Sequence, residues 1–306
     1  MGTSVLNQAT SVLNQTSERS WPTPSAILEL LKPITWFPPM WAFSCGVIAS
    51  GQSLFNQWHL LLAGVILAGP MVCATSQAIN DWFDRHVDAI NEPQRPIPSG
   101  RMPGRSGLYV ACIWTSLSLL LGWFISPWAF VATLIGLALA WAYSAPPLRL
   151  KQNGWWGNAA CGLSYEGLAW FTGSAVMLGD TFPSSHSILL ALLYSIGAHG
   201  IMTLNDFKAI EGDRQMGVRS LPVQLGVQGA AWNACIMMIV PQCIVVGYLF
   251  WLAMPFHALA VIGLIIGQMI MMRYFLGDPI KRALFLSGFG VPLFVSGMMV
   301  SAFAVS

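Results

Sequence analysis

Charge is what this sequence has least of. Only 8% of its 306 residues are Asp, Glu, Lys or Arg, 55% are hydrophobic, and the mean hydropathy is +0.62. A soluble domain with so little charge would aggregate, so the chain reads as an integral membrane protein. A net charge of +2 is too small to argue for a nucleic-acid partner. Cysteine pairing is absent as well. Cys45, Cys73, Cys112, Cys161, Cys235 and Cys243 all sit in apolar segments without a CxxC spacing, which excludes a disulfide framework and leaves small buried hydrophobes. The N-terminus lacks the basic start and apolar core of a signal peptide. It repeats TSVLNQ within a polar run, so residues 1–24 are expected to be a disordered cytoplasmic tail ahead of a transmembrane domain over 25–306.

What is present is a series of apolar runs, each about 20 residues long, the length that crosses a bilayer. They predict an all-α polytopic protein of nine spans, at 27–50, 58–80, 106–125, 128–145, 155–178, 187–206, 228–251, 255–275 and 284–304. The third and fourth spans, and the seventh and eighth, are joined by very short turns and are expected to form antiparallel hairpins. With the N-terminus inside, every basic residue of the chain falls in an inward-facing segment, whereas loops such as GQSLFNQW and LGDTFPSSH carry none. Basic residues collect on the cytoplasmic side, so the N-terminus is placed there and the C-terminus opposite.

The acids are as unevenly placed as the bases. Asn80-Asp81 ends the second span and opens the loop NDWFDRHVDAINEPQRPIPSGR, while Asn205-Asp206, four spans later, opens NDFKAIEGDRQMGVRSLPV. The recurrence suggests a duplicated four-helix unit with a ninth helix appended, its two acidic loops facing each other on one side of the membrane. Asp81, Asp84 and Asp88 share a helical face at i, i+3 and i+7; Asp206 and Asp213 would do the same, with Glu211 off that face unless Gly212 breaks the helix. Carboxylates this close repel by up to ~4 kcal/mol per pair at an effective dielectric near 20, so a cation is expected among them. Carboxylate and Asn oxygens suit Mg²⁺, which keeps several waters and is shared with substrate phosphates. Interleaved Arg95, Arg101, Lys151, Lys208 and Arg214 are then candidates for the remaining phosphate oxygens, with the positive-inside rule as the alternative explanation of each. The ligand so described is a diphosphate with an apolar tail reaching into the bundle, and metal and cations together would stabilise its departure.

The NDxxDxxxD spacing, the segment AYSAPPLRLK and the loop NDFKAIEGDR resemble the intramembrane prenyltransferase superfamily of UbiA type. The longer blocks LKPITWFPPMW, NDWFDRHVDAINEPQRPIPSGR, YSAPPLRLKQNGWWGN and HGIMTLNDFKAIEGDRQMGVRSLPV, in that order, are similar to its chlorophyll and bacteriochlorophyll synthase branch. The resemblance implies transfer of a geranylgeranyl or phytyl group from its diphosphate to the propionate carboxylate of (bacterio)chlorophyllide, in an inner or photosynthetic membrane, with photosynthetic assembly proteins as further partners. By motif it assigns Asn80, Asp81, Asp84 and Asp88 to a first Mg²⁺ and diphosphate set, and Asn205, Asp206, Glu211 and Asp213 to a second. Of these, Asp81, Asp84, Asp88, Asp206 and Asp213 are the candidate catalytic carboxylates. Many relatives carry a further Asp where this chain has Lys208, Ala209 and Ile210. A propionate is ionised at neutral pH, so the reaction asks for no general base.

Within the spans, Glu166 is either a polar contact in the acceptor cavity or a helix-to-helix hydrogen bond. His199 is either a ligand of the pigment's magnesium or a helix contact, and Tyr143 lines the pocket or packs. Two other functions fit parts of the pattern: an enzyme of the same superfamily that prenylates an aromatic ring or haem, and a cation-coupled transporter. A transporter would place its acids near the midplane rather than at one face.

Overall fold

The computed structural model describes residues 21–306, so nearly all of the expected tail lies outside the described residues. The described chain is helical, with one isolated bridge, Asn153 to Arg219, as its extended pairing. We number the helices α1 (Pro24–Leu31), α2 (Phe37–Ala49), α3 (Trp58–Asn91), α4 (Ser106–Ile125), α5 (Pro127–Ser144), α6 (154–178), α7 (Ser185–Asp206), α8 (Ile210–Gln215), α9 (Leu221–Trp251), α10 (Pro255–Gly277) and α11 (Pro279–Ala304).

Seven of these, α3, α4, α5, α7, α9, α10 and α11, are long and apolar enough to cross a membrane. The other two expected spans differ in kind. The first is broken: Lys32 adopts the left-handed region (φ 48°) before Pro33, because a residue preceding proline is driven out of the α region. Trp36 Nε1 donates to the Leu31 carbonyl across the break, leaving α2 only 13 residues long. The fifth, α6, is helical throughout but interrupted by polar residues. Both expected hairpins form, with α4 packed on α5 and α9 on α10. Ser126 is the whole connection of the first, capping α5 through Ala129 N–H with Pro127 in the first turn. Gly226 (φ 73°) divides α9, so its regular part begins where the span was expected.

Three helices change to π geometry partway along, at Leu67–Cys73, Leu163–Leu168 and Leu286–Gly290. Proline accounts for two of them. Pro70 has no N–H and would press on the carbonyl a turn earlier, and Pro292 does the same to Gly288; a wider turn relieves both. Trp114 Nε1 takes up the carbonyl of Pro70 at 3.1 Å. Small residues set the closest crossings: a Cβ on Gly46 would lie 1.8 Å from the Trp170 carbonyl oxygen, and one on Gly173 would lie 2.0 Å from that of Phe43. These glycines let α2 and α6 touch backbone to backbone, the usual way helices pack in lipid.

Candidate functional site

The helical face expected for the first motif forms, because α3 continues without a break through Asn91. Its carboxylates do not meet around one point; basic side chains divide them into two groups. Asp81, only 2% exposed, accepts from Lys32 Nζ at 2.6 Å and from Arg95 Nη1 at 3.3 Å. The same Arg95 nitrogen reaches Asp88 Oδ2 at 2.9 Å, and Arg95 also pairs with Glu92. On the other side Asp84 Oδ1 accepts from Lys151 Nζ at 2.5 Å and Arg149 Nη2 at 3.4 Å. Lys151 also reaches Asn80 Oδ1 at 3.1 Å, where Ser144 donates at 3.3 Å. Burial pulls the Lys151 ammonium below the ordinary lysine range, and Asp84 holds it partway back.

The second motif is built differently. The span ends at Asp206, as expected, but the chain restarts as the separate six-residue α8, so Asp206 and Asp213 do not share the expected helical face. Phe207 is buried against Phe275 at this point, which turns the chain inward and takes Asp206 and Asp213 off a common helix. Within α8, Asp213 is buried and Glu211 is exposed. Asp206 Oδ2 accepts from Asn158 Nδ2 at 3.5 Å. Burial raises the Asp213 carboxyl above the usual aspartate value, with Ser220 opposing. Among the described residues no ion pair involves Asp206, Glu211 or Asp213.

The two motifs meet at a cavity of about 870 Å³, lined by both Asn80 and Asn205. Tyr143 and Ser76 also line it. Deeper in, all three π segments contribute to its wall, through Leu67, Ala68, Val72 and Cys73, through Ser164, Tyr165 and Glu166, and through Ser287. π turns recur at functional sites because an extra residue in the turn redirects side chains. The loop carrying Lys151 is tied to the second motif as well: Gly154 N–H donates to the Arg219 carbonyl, and Arg219 N–H to that of Gln152, each at 2.8 Å.

Several expected residues stand elsewhere. Arg101 is held by Glu29 through both guanidinium nitrogens (2.5 and 2.9 Å) and by the Gln94 carbonyl, so it fastens α1 to the first loop instead of joining the acid cluster. Lys208 and Arg214 are exposed, without ion pairs among the described residues. His199 is buried but is not part of the cavity wall; its ring packs against Trp155 at 5.5 Å between centroids. Tyr143 and Glu166 do line the cavity. Lys32, Arg149, Ser144 and Asn158 are the additions. Lys32 lies inside the expected first span and Arg149 two residues before Lys151, and neither position by itself points to an acid of the first motif.

Oxygen donors dominate both motifs, and one of them, Asp81 Oδ2, is buried without a hydrogen-bond partner. That donor chemistry suits a hard divalent cation. No ready-made set of three or more His, Cys, Asp or Glu groups converges among the described residues, and in the first motif lysine and arginine stand between the acids.

Comparison with known proteins agrees with this architecture. Residues 37–295 match the model of the UbiA prenyltransferase family. The chain is 53% identical over 291 residues to the bacteriochlorophyll synthase 33 kDa chain of Rhodobacter capsulatus, covering 94% of this chain and 96% of that one. Its fold is similar to a solved digeranylgeranylglyceryl phosphate synthase, with a TM-score of 0.72 at 24% identity over 92% of this chain and 97% of that one. It is similar too to a UbiA homolog from Archaeoglobus fulgidus solved with GPP and Mg²⁺, with a TM-score of 0.61 at 18% identity over 92% and 99%. With the helical bundle, the paired Asn-Asp motifs and a family match across most of its length, the chain belongs to the UbiA prenyltransferase family.

Proposed function

We propose that this enzyme esterifies the propionate carboxylate of a (bacterio)chlorophyllide a with a geranylgeranyl or phytyl group taken from the corresponding diphosphate. The observation that carries the reading is the cavity wall: Asn80 and Asn205 mark the end that adjoins the two acidic motifs, and largely apolar helices enclose the rest. A diphosphate bound between the motifs meets Lys151 and Arg95, whose donors now rest on Asp84, Asp81 and Asp88. Asn80, Asp81, Asp84 and Asp88, with Asn205, Asp206, Glu211 and Asp213, are the oxygen donors that would hold Mg²⁺. When bound, Mg²⁺ supplies the charge that stabilises pyrophosphate as a leaving group. The chain's own share is to fix the diphosphate beside the cavity, to direct the allylic tail inward and to exclude water while the carboxylate attacks. No side chain is assigned as base, since the acceptor arrives ionised.

The Rhodobacter relative's name supports the acceptor, and the Archaeoglobus homolog with GPP and Mg²⁺ supports the diphosphate half. The domain doing this is 25–306, set in the inner or photosynthetic membrane with its loops and N-terminus cytoplasmic and its C-terminus opposite, where photosynthetic assembly proteins would be its neighbours. A transporter fits less well, because Glu166 is the single acid on the cavity wall away from the motifs. The test is to incubate purified protein with Mg²⁺, geranylgeranyl diphosphate and (bacterio)chlorophyllide and to look for esterified pigment by chromatography. Alkylation of a quinone precursor or haem with no pigment ester would overturn the acceptor assignment.

A further inference from the structure

Below Asn80 and Asn205 the cavity carries a second polar zone. Gln77 Nε2 donates to the Tyr165 hydroxyl at 2.9 Å, Cys73 Sγ lies 3.5 Å from the same hydroxyl, and Cys73 also reaches the Thr35 carbonyl at 3.4 Å. These side chains all line the cavity, and they satisfy one another. Glu166, next to Tyr165 on the same π segment, does not share in this. It is 5% exposed, its Oε2 has no hydrogen-bond partner, and no basic group pairs with it among the described residues. It lies eight residues along α6 from Asn158, the residue that touches Asp206, and so roughly 12 Å deeper in the bundle.

A buried carboxyl group without a partner is costly at this depth and is seldom kept without a ligand. A polyprenyl tail offers it nothing, since the tail has no heteroatom. A macrocyclic acceptor does, because the rim of a chlorophyllide carries carbonyl oxygens that need a donor once out of water. To such an oxygen Glu166 would present the O–H of its acid form. Three consecutive residues, Ser164, Tyr165 and Glu166, face the cavity from the π segment, so the polar zone is a continuous strip along one wall. We infer that Glu166 is a specificity residue that hydrogen-bonds a ring carbonyl of the acceptor, so that this strip marks the macrocycle's side of the cavity and the tail lies against the apolar walls. This rests on the acceptor proposed above.

The test pairs Glu166→Leu and Glu166→Gln with two acceptors, the natural macrocycle and one whose ring ketone has been reduced to a methylene group, which can neither accept nor donate a hydrogen bond. Glu166→Leu should raise KM for the macrocycle about fivefold or more, the loss of one buried hydrogen bond, and leave KM for geranylgeranyl diphosphate unchanged. Glu166→Gln keeps an N–H donor and should recover most of that loss. Absorbance titration of the macrocycle without diphosphate should show the same order. Wild type should discriminate against the reduced macrocycle, and Glu166→Leu should not. Should Glu166→Leu fail to fold, Glu166→Met, which also has no donor, gives the same decision with both macrocycles. An unchanged macrocycle KM in the donor-free variant, or equal discrimination by it and by wild type, overturns the inference. Absence of pigment ester from wild type is a separate result, which overturns the acceptor assignment and this inference with it.

Discussion

The two acidic motifs look alike as sequence and differ as structures. Around Asp81, Asp84 and Asp88 the chain supplies its own positive charge, from Lys32, Arg95, Arg149 and Lys151. Around Asp206, Glu211 and Asp213 no ion pair forms among the described residues, and the partners are neutral: Asn158 donates to Asp206 and Gln215 to Glu211. A carboxylate paired with a lysine can exchange that partner when phosphate arrives, because lysine then binds phosphate and the acid is released to a metal. A carboxylate with no cation nearby already favours an incoming one. The comparison teaches that duplication of a motif need not duplicate its electrostatic state, and that the two halves of the site are expected to respond differently to magnesium.

The largest effect should come from removing the unpaired side. Asp206→Ala is expected to lower turnover by on the order of 10²–10³-fold and to raise the Mg²⁺ concentration for half-activity. Asp84→Ala should lose comparable turnover; near-normal rates at limiting Mg²⁺ would refute the metal role of the first motif, and an unshifted Mg²⁺ requirement in Asp206→Ala would remove the contrast. Next comes the exchangeable partner. Lys151→Met should raise KM for the prenyl diphosphate about tenfold, as expected for one charge-assisted bond, with a smaller change in KM for the macrocycle. Initial rates against each substrate separate the two.

Arg101→Ala is the sharper control, since this base of the first loop is committed to Glu29; its diphosphate KM should stay within about twofold of wild type, the range for a group without a ligand contact. The smallest effect concerns stability alone. The hydrogen bond from Arg101 holds the Glu29 carboxyl below its usual value, so the pair's contribution is complete at neutral pH and lost as pH falls through that lowered value. Both groups face solvent, so Glu29→Gln should lower Tm in detergent by no more than about 2 °C at pH 7. The gap from wild type should close on acidification, and a gap that widened would reverse the assignment.

Much of this was legible in the chain. The apolar runs gave the seven long helices, and the recurrence of Asn-Asp led to the two asparagines that now share one cavity wall. What escaped was long-range pairing. Lys32 meets Asp81 across 49 positions and Arg149 meets Asp84 across 65, distances over which no local periodicity carries information. Arg101 illustrates the same point: it sits beside the motif in sequence while its partner Glu29 lies 72 positions away. The break at Lys32 was readable from Pro33 but was masked by the apolar run around it. The π segments had only Pro70 and Pro292 as signs, and Leu163–Leu168 had none.

Those segments also constrain how the chain can change. Each π turn accommodates a residue that a plain helix has no place for, and a helix rotates about 100° per residue. Shortening Leu67–Cys73 by one residue would return the turn to α geometry and keep the register of Asn80 and Asp84, but it would withdraw the side chains that the wide turn presents to the cavity, such as Val72 and Cys73. Length in these three places is therefore part of the site's specification, as binding as the identity of any acid, and an alignment gap placed there would be read in the laboratory as a loss of function.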